Sequence, residues 1–165
     1  MKKILIFLFI SIIGLQANSC VNMLTQNDVL KYFIKIDYCD NNLYKIELKN
    51  SNKYLNNYTA NFTNEEFDKL IDGYKKILDW YYKAKTNKID IEKSIDIKEK
   101  SFTLTFISLD KASKIRVIAA GMKNDSESGA FGLTKEIELK DFIVSLEKIK
   151  KESNEQMEKT NNLFK

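Results

Sequence analysis

Hydrophobic residues recur with helical spacing in two separate parts of the chain. Over residues 61–85 the apolar side chains fall three, four and seven positions apart, and charged residues occupy the remaining positions. Thr63 and Glu66 have the spacing of a capping box, in which each side chain hydrogen-bonds the other residue's backbone N–H. The apolar spacing returns over residues 139–149. The pattern therefore predicts two amphipathic helices.

Elsewhere, apolar and polar residues alternate as they do in half-buried strands. Residues 32–39 and 44–48 flank an Asp-Asn-Asn turn and predict a β-hairpin, with a further edge strand or a loop around residues 58–60. Residues 102–109 and 115–121 predict two more strands, and residues 86–100 predict an edge strand or an extended connection. We expect a short lead with a helix cap at Thr25 or Asn27 in residues 21–31, and a loop in residues 123–132.

The two halves therefore share one order of elements: a pair of strands, a polar loop and an amphipathic helix. This order predicts an α+β fold, in which an antiparallel sheet carries two amphipathic helices on one face. It is also consistent with a pseudo-twofold ββα duplication. Neither half has enough apolar surface to fold alone, so we expect one domain over residues 20–150. The periodicity then fades, which predicts a polar C-terminal tail over residues 151–165 that ends as a frayed helix.

The first 19 residues have the pattern of an export signal. Lys2 and Lys3 precede a short apolar run, and Gly14 and small residues follow it. The run is too short to span a bilayer. We therefore predict an exported protein of the periplasm or the extracellular space. Cleavage fits before Asn18 or before Cys20, and the alternative is a lipoprotein anchored to the membrane through Cys20, although the residues before Cys20 match a lipobox poorly.

The chain contains two cysteines, Cys20 and Cys39. In an oxidising compartment an even number of cysteines favours a disulfide, which here would tie the N-terminal segment to the first hairpin. If Cys20 is lipidated, Cys39 remains as a buried thiol instead. The disulfide is the pairing we expect.

Composition then excludes several functional classes. The chain has no histidine, so Ser-His and Cys-His catalytic pairs and histidine-ligated zinc are absent. The net charge of +4 is spread evenly, which argues against a nucleic-acid partner. No acidic group has the spacing of a calcium-binding loop, and no glycine-rich stretch has the pattern of a phosphate cradle. We predict neither a cofactor nor a bound metal.

Two groups of residues are candidates for function. Trp80 and Tyr82 lie in the densest aromatic cluster, and at least one of the two rings should be partly exposed as an anchor for a protein, peptide or glycan partner. Asp125 and Glu127, in the predicted loop, are the best carboxylate pair for an enzyme. We expect a non-catalytic binding or interaction module. The alternatives are a carboxylate-based hydrolase, or an inhibitor of an exported or host enzyme that uses residues 123–132 as a wedge.

Overall fold

The structure, a computed structural model, describes residues 19–28 and 32–163. The predicted signal peptide therefore lies outside the described residues except for Ser19. The described residues form eight strands and two helices: β1 (Cys20–Asn27), β2 (Phe33–Cys39), β3 (Leu43–Leu48), β4 (Tyr58–Phe62), α1 (Asn64–Asn87), β5 (Glu92–Lys98), β6 (Phe102–Leu109), β7 (Lys114–Asn124), β8 (Glu127–Leu133) and α2 (Glu136–Leu163). The α+β class is confirmed.

The strands form two antiparallel sheets rather than one. The first sheet has the order β1-β2-β3-β4 and the second has the order β5-β6-β7-β8. Each is a meander that leads into one helix, so the repeated unit has four strands where the sequence predicted two. Whether this repetition reflects a duplication stays a prediction.

The first sheet contains the predicted hairpin and one strand that the sequence did not predict. β2 and β3 pair around the turn as expected, with Ile36 opposite Ile46. The lead with a helix cap that we expected over residues 21–31 is, as far as the structure describes it, mostly the edge strand β1, which pairs with β2 and places Leu24 opposite Ile36. The pattern in β1 is weak because most of its side chains are exposed, so little hydrophobic alternation marks it.

The second sheet corrects the prediction of a loop over residues 123–132. This segment is the end of β7, a turn at residues 125–126, and β8. β8 contains Ser128, Gly129, Ala130 and Gly132, whose weak β-propensity disguises it. A Cβ atom at Gly129 would overlap the carbonyl oxygen of Leu48, so a side chain has no room where β8 crosses the end of β3.

Helix α1 begins at the predicted cap. Thr63 Oγ1 accepts a hydrogen bond from the backbone N–H of Glu66 at 3.2 Å, and a carboxylate oxygen of Glu66 accepts one from the N–H of Thr63 at 2.9 Å. The helix ends at Lys88, whose left-handed backbone directs its N–H to the last carbonyl groups. Both halves of the capping box are therefore present.

Helix α2 extends beyond residue 150, where we expected the domain to end. Ser153 is fully buried, and its hydroxyl lies 2.5 Å from the Tyr44 hydroxyl in β3. Ser153 also donates a hydrogen bond to the carbonyl of Lys150 in the preceding turn. Because the polar Ser153 occupies a core-facing position, it interrupts the apolar period of the helix. The periodicity therefore does not predict this contact between α2 and the first sheet.

A single hydrophobic core joins the two halves. Phe67 of α1 stacks on Tyr44 of the first sheet, with the ring centroids 3.9 Å apart. On the same helix, Gly73 lies so close to the second sheet that a Cβ atom would come within 2.8 Å of Ile97. Between the sheets, the Tyr58 ring covers Gly121. Each half thus packs on the other through α1 and through glycines that allow close approach.

Candidate functional site

Trp80 and Tyr82 lie on different sides of α1, because residues two apart on a helix are separated by about 200°. Trp80 is half-buried, with the ammonium groups of Lys76 and Lys93 at 5.6 and 5.2 Å from its ring centroid. Tyr82 is 40% exposed and faces α2, where the Lys140 ammonium lies 5.5 Å from its ring centroid. The structure therefore does not bring the two rings together as one anchor, and their role in binding stays a prediction.

Tyr82 belongs instead to a polar cluster around Glu136 at the start of α2. The Glu136 carboxylate accepts hydrogen bonds from the hydroxyls of Tyr81 and Tyr82, at 2.9 and 3.0 Å, and pairs with Lys140 and Lys85 at 2.7 and 3.4 Å. Hydrogen bonds from Lys140, then from the two tyrosines, lower the pKa of Glu136 to about 2. The cluster clamps the end of α1 to the start of α2.

Asp125 and Glu127 do not face a common cavity. Asp125 is exposed in the turn between β7 and β8. One Glu127 carboxylate oxygen accepts hydrogen bonds from the Lys123 ammonium at 3.0 Å and from the backbone N–H of Thr59 at 3.3 Å. Glu127 therefore ties the β7–β8 hairpin to the first sheet. The segment proposed as an inhibitory wedge is this hairpin, whose turn receives a hydrogen bond from the backbone N–H of Asn56 at the Ser126 carbonyl.

Cys20 and Cys39 form the predicted disulfide, with an S–S distance of 2.04 Å. The two residues are direct partners in the β1–β2 register, so the bond joins the edge strand to its neighbour. Next to the bond, the backbone N–H of Ser19 donates to the Asp40 carboxylate at 3.2 Å. A disulfide at this position is compatible with an oxidising compartment.

The outer face of the second sheet, which points away from the core, carries mostly small and uncharged side chains. Cross-strand rows run from Thr103 through Ala120 to Ala130, and from Thr105 through Ile118 to Gly132. On the β5 side the hydroxyls are already paired, since Thr103 donates to Asp96 at 2.8 Å. The part of the face formed by β7 and β8 remains open.

Two adjoining cavities lie along this open part. The first, of about 360 Å³, is lined by residues that include Lys100, Ala120, Met122 and Asn50. The second, of about 300 Å³, is lined by Asp28, Tyr32, Arg116, Ile118, Ala130, Phe131, Gly132 and Thr134. Ala130 borders both cavities, and we call the surface that holds the two of them side by side the β7–β8 groove.

Segments of the first sheet form the wall of the β7–β8 groove. The buried Asn50 side chain donates hydrogen bonds to the Asn56 carbonyl at 3.1 Å and to the Ser128 hydroxyl at 3.0 Å. The two oxygens of the Asp28 carboxylate accept the backbone N–H groups of Tyr32 at 2.9 Å and Gly132 at 3.1 Å. Hydrogen bonds thus attach the wall to β8 at two points, Ser128 and Gly132, and hold the two sides of the groove in place.

Sequence reasoning missed this groove for two reasons. The glycines and serines of residues 123–132 have weak β-propensity, so the sequence does not predict β8, which forms one side of the groove. The wall comes from turns of the first half that are distant in sequence, and no local pattern reports their approach. One signal was present: Arg116 is the only arginine among 27 basic residues, and it precedes the run of small residues in β7.

No helix in residues 19–28 and 32–163 is long and apolar enough to cross a membrane. Within the same described residues, no group of three or more acidic residues and cysteines is placed to hold a metal ion. Comparison of the chain with protein-family models, with curated proteins and with solved structures found no match in any of the three.

Proposed function

We propose that this protein is an exported, non-catalytic binding module that holds an extended peptide segment of a partner protein in the β7–β8 groove. The observation that carries the proposal is the pair of cavities that meet at Ala130 over a face of mostly small, uncharged side chains. A ligand that covers such a surface displaces little tightly bound water, because few charged groups lie there. Because the surface is concave, a peptide would contact both its floor and its wall.

The dimensions of the groove support a peptide as the occupant. Arg116 and Met122 lie at its two ends on one strand, six residues apart, which corresponds to about 20 Å at the rise of an antiparallel strand. A segment of about six extended residues spans that distance. Export is supported by the Cys20–Cys39 disulfide and by the tripartite pattern of residues 1–19.

The geometry favours this surface over the other candidates. Trp80 and Tyr82 face different neighbours, and Asp125 and Glu127 share no cavity. A hydrolase would need its two carboxylates to converge on one substrate bond.

The test is a selection of random hexapeptides, displayed between two carrier segments so that neither end is free, against the purified oxidised protein. Amide chemical shifts of the protein then locate the selected peptides. We expect shifts along β7 and β8, and at least about a tenfold weaker binding to Ala120→Arg, which fills the groove. The matched control is Asn61→Arg, an exposed strand position on the outer face of the first sheet, which adds the same charge.

Peptides that bind both variants equally well, or that shift amides around Trp80 and Tyr82 instead, would overturn the groove as the binding surface. A selection that yields no binding peptide would contradict the proposed function itself.

A further inference from the structure

Arg116 is a cation of the β7–β8 groove for which the described residues provide no ion pair, as they provide none for Lys100 at the other end. Arg116 is exposed on the outer face of β7, opposite Ile107, and lines the second cavity. Among the described residues, no carboxylate lies within ion-pair distance of its guanidinium. Many surface lysines of this protein, by contrast, pair with a neighbouring carboxylate, as Lys114 at the start of β7 does with Asp110 in the preceding turn.

The surroundings of Arg116 are largely apolar. Ile118 and Phe131 contribute hydrocarbon surface, and Tyr32 adds an aromatic ring. The one acidic group of the cavity, Asp28, directs both carboxylate oxygens at backbone N–H groups of the wall. The cavity thus combines a largely apolar lining with one guanidinium that forms no ion pair within the part of the chain that the structure describes.

We propose that this cavity binds an apolar group that carries a carboxylate, and that Arg116 pairs with that carboxylate. The inference rests on the proposed function and adds the chemistry of the ligand to it. A guanidinium presents parallel N–H donors that match the two oxygens of a carboxylate, which lysine cannot do. The carboxylate is the free C-terminus of a peptide that ends in an apolar residue, because that one residue carries both the apolar group and the carboxylate.

Three tripeptides test this assignment by NMR titration of the oxidised protein. The first is acetyl-Ala-Val-Phe with a free carboxylate, the second is the same peptide as an amide, and the third is acetyl-Ala-Glu-Phe amide. We expect the free acid to bind about five- to tenfold more tightly than the first amide, since the charged hydrogen bonds are lost in the amide. The third peptide should bind as weakly as the first amide, and a third peptide that matches the acid would overturn the assignment to a free C-terminus.

Two variants of β7, one inside and one outside the groove, provide the control. Arg116→Gln should abolish the preference for the acid, whereas Lys114→Gln, which removes one positive charge from the same strand outside both cavities, should leave the ratio unchanged. A higher salt concentration should weaken the binding of the free-acid peptide more than the binding of the amide.

The outcomes distinguish this inference from the proposed function. If the acid and the amide bind equally well, or if Lys114→Gln removes the preference as Arg116→Gln does, the role of Arg116 is wrong, and the groove can still hold the internally displayed hexapeptides. If those hexapeptides bind in the groove but none of the tripeptides binds, the carboxylate inference is also wrong. If neither class of peptide binds, both proposals fall.

Discussion

The two sheets have the same strand order, but their outer faces are built differently. On the first sheet, charged and amide side chains face one another: Lys35 pairs with Asp37 at 2.9 Å, and Asn57 donates to Glu47 at 2.7 Å. On the second sheet, the corresponding rows of β7 and β8 contain alanine, glycine, serine and isoleucine. The first face thus carries polar side chains that bond one another, whereas the β7–β8 part of the second face carries mostly uncharged side chains and Arg116, for which the described residues provide no ion pair.

This difference indicates that the order of elements does not determine which half carries a binding surface. The first sheet supplies the wall of the β7–β8 groove through Asp28 and Asn50, and the second supplies its floor. The groove therefore exists only when both halves are folded and packed together. Close packing at Gly129 and the disulfide of the first sheet are the two features that most directly test this dependence.

The largest effect should come from Gly129→Ala, which attacks the contact between the sheets. The new Cβ atom would overlap the Leu48 carbonyl, and backbone cannot move aside as a flexible side chain can. We expect the free energy of unfolding to fall by at least about 3 kcal/mol, as measured by urea denaturation.

The matched control is Gly132→Ala, three residues further along β8. There the nearest atom to a Cβ would be a carboxylate oxygen of Asp28, at 3.6 Å, so the added methyl group fits. Its effect should stay within about 0.5 kcal/mol. Equal losses in the two variants would show that β8 tolerates no side chain for some reason other than its approach to β3.

These glycines also explain how much of the fold the sequence predicts. The helices are predictable because their signals are local: Thr63 and Glu66 cap α1, and the apolar period runs along its length. Strand β8 is not predictable in this way. It has glycine at position 129 because Leu48, which lies 81 residues earlier in the chain, leaves no room for a side chain there. The sequence likewise gives no local sign that Ser153 meets Tyr44.

The candidate site was less predictable than the fold. The disulfide follows from the number of cysteines and the export pattern, and it is confirmed. The closeness of Trp80 and Tyr82 in sequence suggests a shared aromatic anchor, but helical geometry directs the two rings to different partners. The groove depends on pairs distant in sequence, such as Asn50 with Ser128, which patterns within one element do not reveal.

A smaller loss of stability should follow removal of the disulfide. Cys20→Ser combined with Cys39→Ser opens a loop closed over a separation of 19 residues, and the chain-entropy account gives about 3 kcal/mol for such a loop. The measurement is urea denaturation of the double variant and of the wild type, each with and without reductant. Reductant should destabilise the wild type alone.

The disulfide also sharpens the contrast between the two halves. It lies at the edge of the first sheet, and the groove belongs mainly to the second sheet, so the folded double variant should still bind the selected hexapeptides. Loss of peptide binding without unfolding would mean that the two halves are more tightly coupled than their separate contacts indicate.

The smallest effect concerns Glu136, which joins the helix of one half to the helix of the other. Hydrogen bonds from Lys140 and from the two tyrosines hold its pKa at about 2, below the ordinary value of a glutamate. A carboxyl group whose pKa is lowered by folding stabilises the folded state above its unfolded pKa. That contribution is lost as the pH falls from about 5 toward 2.

Glu136→Gln should therefore lower the melting temperature slightly at pH 7, and the difference from the wild type should shrink between about pH 5 and pH 2. Thermal melts across this range measure it. The matched control is Glu147→Gln, which removes a single ion pair, to Lys75 at 2.7 Å, between the same two helices. Because Glu136 has four partners and Glu147 one, the Glu136 variant should lose more at pH 7. An equal loss in both variants, with no dependence on pH, would show that the Glu136 cluster adds nothing beyond an ordinary surface ion pair to the joint between the halves.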